Sequence, residues 1–287
     1  MSNLNLSVVI LSYNTKDVTG RCLAKALAAK EYCEKKLKNK VEVIVLDNAS
    51  ADGSALAIKK DFPKVKLIAQ KENLGFAKGN NLVMQKIKNP FILLLNSDCY
   101  LQEESLYKAI AYFRVNLNCD VLGARLNYAS GLLQPSAGSL PNILNIIFWI
   151  LGLSLLPFFN MIVSPFHPKE KKYFAKAHKT GWIMGAFFMH MEEVEWCKRI
   201  WQKGYKIWYV PQVEVVHLHG ASTNFDLNAS FSNELKGIKY YLKKHYGVYY
   251  FILKPVLILG LILRMIAFSL LRKNKRARVY LEGLKAI

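Results

Sequence analysis

In the stretch FILLLNSDCYL (91–101), a carboxylate, Asp98, closes the apolar run Phe91 to Leu95. An acid that follows a segment reading as a buried strand is costly unless a cation or hydrogen bonds hold it. A second acid, Asp47, closes another apolar run, VEVIVLDNAS (41–50). Carboxylates at strand ends suit hard divalent cations such as Mg²⁺ or Mn²⁺, which complete their shells with phosphate and water. One Asp does not hold such an ion unaided, so another ligand must come from downstream. His217, in the strand-like stretch VPQVEVVHLHG (210–220), can supply an imidazole nitrogen; it can equally be a hydrogen-bonded core histidine. HMEEVEWCKRIWQKGY (190–205) places Glu192, Glu193 and Glu195 at a helix start, where acids complement the helix dipole. The apolar neighbours Met189, Met191, Val194 and Trp196 would also desolvate a carboxylate there. That raises its pKa and fits it for general-base work.

The elements that must position these groups alternate strand and helix over the first 125 or so residues. LSVVILSYN (6–14), VEVIVLDNAS, KVKLIAQ (64–70), FILLLNSD and DVLGARLNY (120–128) read as five strands. Helices follow them: from Thr15 or Asn14 to about Tyr32, within SADGSALAIKKDF, around Lys78 to Lys88, and over 103–116. Apolar strands separated by single helices predict a parallel sheet covered on both faces, an α/β fold. Ligands of such sheets bind at the carboxyl ends of the strands. That rule gathers Ser12-Tyr13-Asn14, Asp47-Asn48 and Asn96-Ser97-Asp98 on one rim. No GxGxxG follows the first strand, which disfavours an ordinary dinucleotide site. NLGFAKGNN (73–81) is rich in Gly and Asn, suited to an anion-facing loop or to a plain turn.

Lys and Arg number 40 against 20 acids, a formal charge of +20 with 52% hydrophobic residues. The balance points to a polyanionic partner, either acidic lipid or phosphate-bearing substrates. No zinc-finger spacing or basic-aromatic repeat points to nucleic acid. Five cysteines without a CxxC pair fit reduced thiols, and NLNLSVVILSYN reads as a first strand, with no signal peptide expected.

Two apolar stretches follow. Residues 143–163 carry no charge but include Asn145, Pro157 and Asn160. A single crossing there would place the acidic rim and Glu192–Glu195 on opposite sides of a bilayer. Two crossings need about 40 apolar residues. The favoured reading is a bent hairpin lying in the interface, over a core element or a span. Residues 246–271 carry Lys254 and Arg264 and are flanked by Lys243-Lys244 and RKNKRAR (272–278). Basic residues at both ends favour an in-plane amphipathic helix on an anionic surface, with a single span as the alternative.

The order of VVILSYN, VIVLDNASADGS, NLGFAKGNN, LLLNSD, GWIMGA, EEVEWCKR and GYKIWYVPQVEVVHLHGAS resembles the family 2 glycosyltransferases. It resembles more closely their rhamnosyltransferase-like branch, which builds bacterial surface polysaccharides, and the likeness covers about residues 6–222. The resemblance implies a GT-A fold, Rossmann-like with a mainly parallel sheet, a nucleotide-sugar donor and inversion at the anomeric carbon. By position it places Tyr13, Asn14, Asp47 and Asn48 at the nucleoside, and Asn73, Gly75, Gly79, Asn80 and Asn96 along the donor. Asp98 would bind a divalent cation, Mg²⁺ or Mn²⁺, with His217 near the diphosphate. Glu193 would be the base, with Glu192 as its rival, and Gln134 and Trp182 would lie near the sugar and acceptor. The sequence departs from the pattern at Asn96, where the motif begins without an acid, and at Glu193, where Asp is common. It is also shortened between Ala186 and Glu192.

The expectation is therefore an inverting hexosyltransferase at the cytoplasmic face of the plasma membrane, peripheral or monotopic. Its acceptor would be a polyprenyl-diphosphate-linked or other glycan. Residues 1–128 would form the nucleotide-sugar half, 129–180 an apolar interfacial insertion, 181–235 the acceptor and catalytic half, and 236–287 membrane-associating helices. A nucleotidyltransferase and a catalytically impaired nucleotide- or lipid-binding homologue are the competing readings.

Overall fold

The computed structural model describes residues 4–155, 163–184, 191–218 and 227–287. Four parallel strands, β1 (Leu6–Ser12), β2 (Val41–Asp47), β3 (Lys66–Ala69) and β4 (Phe91–Asn96), form a sheet in the order β3-β2-β1-β4. Alternation along β1 sends Val8 and Ile10 to one face, against α1 (Lys16–Leu37). Val9 faces the other way, with Ile44 and Leu46, against Val83 of α3 (Phe76–Met84). Both faces are covered, as the continuous apolar runs require; α2 (Ser54–Asp61) links β2 to β3. The register aligns Ser12 with Asp47 and Leu11 with Asn96, so the polar strand ends share one rim.

The fifth expected strand leaves this sheet. After Asp98 the chain enters a short strand, β5 (Cys99–Leu101), then α4 (Ser105–Val115), β6 (Val121–Asn127) and β7 (Leu133–Gln134). With the long β11 (Ile207–His217) they build a second sheet in the order β5-β11-β6-β7. The physical reason is that β5 runs antiparallel to the end of β11, leaving β6 to pair with β11's other edge. Short strands β8 (Ala137–Gly138) and β10 (Trp182–Ile183) pair with each other, and β9 (His178–Lys179) pairs with β11.

A second core gathers the helices α5 (Ile143–Ile150), α6 (Glu192–Gln202), α7 (Leu227–Tyr246), α8 (Tyr249–Leu270) and α9 (Asn274–Ala286). The start of the uncharged stretch 143–163 is thus a helix with Ile146 and Ile150 fully buried in that core. Asn145 is there as half of a reciprocal capping box with Asn142. Residues 156–162 lie outside the described residues. Gly260 lets α8 approach α5, since a Cβ there would stand 2.9 Å from the Ile150 carbonyl oxygen. Arg264, one of the two charges in the apolar C-terminal stretch, donates to the carbonyls of Trp149 and Ile150 and closes the end of α5.

Candidate functional site

The rim of the first sheet opens into a cavity of about 200 Å³. Tyr13, Asn48, Asn73, Gly75, Asn96, Ser97 and Asp98 line it, together with Leu11, Thr15 and Phe76, which the sequence did not single out as binding residues. Asn48 builds its wall: its Nδ2 donates to Asn73 Oδ1 at 2.7 Å, and its Oδ1 accepts from the Leu74 N–H at 2.9 Å. Asn73 Oδ1 also accepts from the Gly75 N–H at 2.8 Å. Gly75 has φ +72°, so the loop turns sharply into α3 through a conformation that glycine adopts without strain. Phe76, directly after it, adds an aromatic face.

Other predicted donor residues stand behind this wall. Asn14 ties two loops together, donating its N–H to Ser50 Oγ at 2.9 Å and accepting from the Ala51 N–H at 2.8 Å. Asp47 is buried; one oxygen accepts from the Ser50 N–H at 3.1 Å and the other has no partner among the described residues. Gly79 does not line the cavity, because it packs α3 on the sheet. A Cβ there would sit 2.6 Å from Leu11 Cδ1 and 2.8 Å from Leu46 Cδ2. Asn80 is buried and bonds back to the Phe76 carbonyl of its own helix. Trp182 is buried in the second core, its Nε1 donating to the Phe166 carbonyl.

Asp98 is buried at the junction of the two sheets. Its backbone carbonyl accepts from the Leu218 N–H at 3.0 Å, and pairing of His217 with Cys99 brings the imidazole alongside. His217 Nε2 lies 3.6 Å from Asp98 Oδ1, while its Nδ1 lies 3.0 Å from Gln134 Oε1. An amide oxygen only accepts, so Nδ1 donates to it, and Nε2 is the ring nitrogen that faces Asp98. Gln134, expected near the sugar, is thus the residue that orients His217. Asp98, Cys99 and His217 offer ligand atoms within 4.8 Å of one another. Burial pushes the Cys99 thiol well above its ordinary pKa, so it stays protonated and is no ligand for a hard cation. A carboxylate and an imidazole nitrogen remain, with the buried Asn96 Oδ1 nearby on the cavity wall and without a partner among the described residues. This donor set fits a divalent cation whose other positions are filled by phosphate and water.

The acids of α6 separate by helical phase. Glu193, Val194 and Cys197 turn into the core, and burial pushes the Glu193 carboxyl up to about 8. Glu192 is exposed, and partial desolvation raises it less. Burial alone would raise Glu195 too, but bonds from Lys244 and Arg199 hold it below the usual carboxylate range. Lys244 Nζ of α7 is 2.7 Å from Glu195 and ties α6 to α7, while Arg199 Nε, one turn along α6 itself, is 3.0 Å away. His219 and the shortened segment before Met191 fall outside the described residues.

A parallel sheet with an Asp-bearing rim, joined through that Asp to a second mixed sheet, is an architecture of the GT-A class. The fold agrees with a solved mannosyltransferase from Pyrobaculum calidifontis in complex with GDP-Man and Mn²⁺. The TM-score is 0.55 at 12% identity, over 97% of this chain and 85% of that one. Residues 7–194 match the sequence model of Glycosyl transferase family 2, and the chain belongs to that family of glycosyltransferases. It is also similar to N-acetylglucosaminyl-diphospho-decaprenol L-rhamnosyltransferase of Mycobacterium tuberculosis, in strains CDC 1551 / Oshkosh and ATCC 25618 / H37Rv. Identity is 23% over 319 residues, covering 97% of this chain and 98% of the relative. A glycosyltransferase sets aside the nucleotidyltransferase reading.

Proposed function

We propose that this glycosyltransferase moves a sugar, rhamnose by preference, from a nucleoside diphosphate to a lipid-linked glycan with inversion. The observation that carries the proposal is the Asp98–His217 pair beside the cavity at the strand ends. The nucleoside and diphosphate would occupy that cavity, along Tyr13, Asn48, Asn73 and Phe76. Asp98 and His217 would hold a divalent cation, which when bound neutralises charge on the departing diphosphate. Glu193 would take the proton from an acceptor hydroxyl as that oxygen bonds to the anomeric carbon. The bond from that carbon to the diphosphate oxygen breaks, and its electron pair leaves with the nucleoside diphosphate. Glu192 is the alternative base. Residues 1–128 would serve the donor, 181–235 the acceptor and chemistry, and 236–287 the membrane. The described part of 129–180, expected as an interfacial insertion, instead packs Ile146, Ile150 and Phe166 into the second core. The test is release of nucleoside diphosphate from dTDP-rhamnose and UDP-hexoses, with and without Mg²⁺ or Mn²⁺. No release from any donor with either metal supports the impaired-homologue reading.

An anionic bilayer surface on the cytoplasmic side is the proposed partner. The inner face of α8 is buried at Tyr250, Leu253, Leu257 and Leu261. Its outer face leaves Phe251 64% and Ile252 66% exposed, with Leu259, Leu263, Ile266 and Leu270 also exposed. α9 turns back along α8: Tyr280 stacks on Phe268 at 5.5 Å, and Tyr250 Oη donates to the Ile287 carbonyl. A transmembrane α8 would therefore draw Lys275, Arg276 and Arg278 into hydrocarbon, at about 2.5–3.5 kcal/mol each. An in-plane α8, with these cations at lipid headgroups, avoids that cost. Co-sedimentation with vesicles tests this: binding should need anionic lipid and be lost when Ile252, Leu259, Leu263 and Ile266 become Gln.

A further inference from the structure

A second cavity, of about 670 Å³, lies where α3, α6 and α7 meet. Each helix gives it one stripe at helical spacing: Ala77 and Asn81 from α3, Glu192, Trp196 and Arg199 from α6, Lys236 and Tyr240 from α7. It shares a wall with the first cavity, because Phe76 lines one and its neighbour Ala77 the other. A molecule here would thus sit beside whatever occupies the strand-end cavity.

Two acids, Glu192 and Glu195, and two cations, Arg199 and Lys236, line the cavity, but Glu195 is met from outside it by Lys244, which leaves the cations in excess. Glu195 already has Lys244 at 2.7 Å, and Arg199 touches it only through Nε. The two terminal nitrogens of that guanidinium make no hydrogen bond among the described residues, and Lys236 forms no ion pair there. Two cations with donors to spare, on facing helices, suit a phosphate or diphosphate. Trp196 and Tyr240 add aromatic faces of the kind on which the C–H face of a sugar packs. Glu192 stands seven residues before Arg199 on the same stripe, two turns or about 10 Å along the helix. That separation suits a hexose with its hydroxyl toward Glu192, the alternative base, and its anomeric diphosphate toward Arg199. Glu193, buried behind them, is not among the residues that line this cavity.

We infer that this cavity is the acceptor site, recognising a sugar 1-diphosphate through Arg199 and Lys236, with the sugar over Trp196 and Tyr240. The inference rests on the glycosyltransfer proposed above and adds which side chains read the acceptor's diphosphate. Nothing in it requires the lipid chain to enter the cavity.

The test titrates an N-acetylglucosamine 1-diphosphate carrying a short prenyl chain into the full-length protein. Saturating nucleoside diphosphate and Mg²⁺ keep the probe's phosphates out of the strand-end cavity. Wild type should bind, and Lys236→Glu and Arg199→Gln should each weaken binding roughly ten-fold or more, the worth of one charge-assisted hydrogen bond. Nucleoside diphosphate affinity should stay unchanged in both variants. Lys236 is exposed, so its variant reports on binding with an unaltered thermal melt. Arg199→Lys, which keeps the charge but not the fork, should recover part of the loss. Equal probe affinity in wild type and both variants would overturn the inference. So would an equal loss of nucleoside diphosphate affinity, which would assign these cations to the donor. Failure of wild type to bind nucleoside diphosphate at all would instead count against the donor site, while the probe series still reads the second cavity.

Discussion

Replacing Glu193 by Gln separates a buried, proton-holding carboxyl from an ordinary helix-start acid. Its pKa rises from 4.5 to about 8 on folding, chiefly because burial disfavours the charged form. The folded protein therefore binds this proton more tightly than the unfolded chain, so the stability it confers is full below pH 4.5. It declines as pH climbs toward 8 and levels off above that. Between pH 5.5 and 8.5 the linked change amounts to about 3 kcal/mol against the folded state. Gln, neutral at every pH, does not carry that penalty. Denaturant unfolding of wild type and Glu193→Gln at pH 5.5 and 8.5 gives the comparison. The variant should gain on wild type by about 3 kcal/mol between the two pH values, while transferase turnover is lost. A stability difference that does not change with pH would refute the argued burial of the charge.

The same residue sets the rate profile: with Glu193 as base only ~10% is ionised at pH 7, and kcat/KM should climb to a plateau above pH 8. A profile flat from pH 6.5 upward would assign the base to Glu192. Gln134→Leu removes the hydrogen bond that orients His217. It should weaken Mn²⁺ binding, followed by thermal shift, about 10- to 100-fold, with Gln134→Glu retaining more affinity than Leu. Gly79→Val places methyls against Leu11 and Leu46 and should cost about 1–3 kcal/mol of stability. Unfolding midpoints read this directly, and an unchanged midpoint would show the α3–sheet contact to be looser than described.

Much of the donor half was legible because its central strands β1 and β2 are buried on both faces, and the edge strand β4 keeps a continuous apolar run even though Ile92 on it is exposed. Phe91 to Leu95 and Val43 to Leu46 need no partner to announce themselves, and strands ending in Asp47 and Asn96 place the rim. The second sheet was not legible in the same way. Cys99–Leu101 is too short to carry a periodic signal, so the pairing that turns β6 away from β4 left no local trace. The site shows the same division. Asn48 and Asn73 stand in motifs beside strand ends, whereas Gln134 and His217 meet across 83 residues, a separation no spacing rule covers. Trp182 and Asn80 look like binding residues by type, but their polar atoms are used to satisfy backbone carbonyls inside the protein. Arg264 looks like a charge in an apolar helix until α5 is seen to end beneath it.

The most direct measurement is donor turnover in Asp98→Ala against wild type, as release of nucleoside diphosphate from a dTDP- or UDP-sugar with Mn²⁺ titrated in. Wild type should show saturable metal dependence, and Asp98→Ala should lose it along with nearly all release, while its circular dichroism and melting remain those of a folded protein. Metal-dependent release from Asp98→Ala at the wild-type rate would contradict the account.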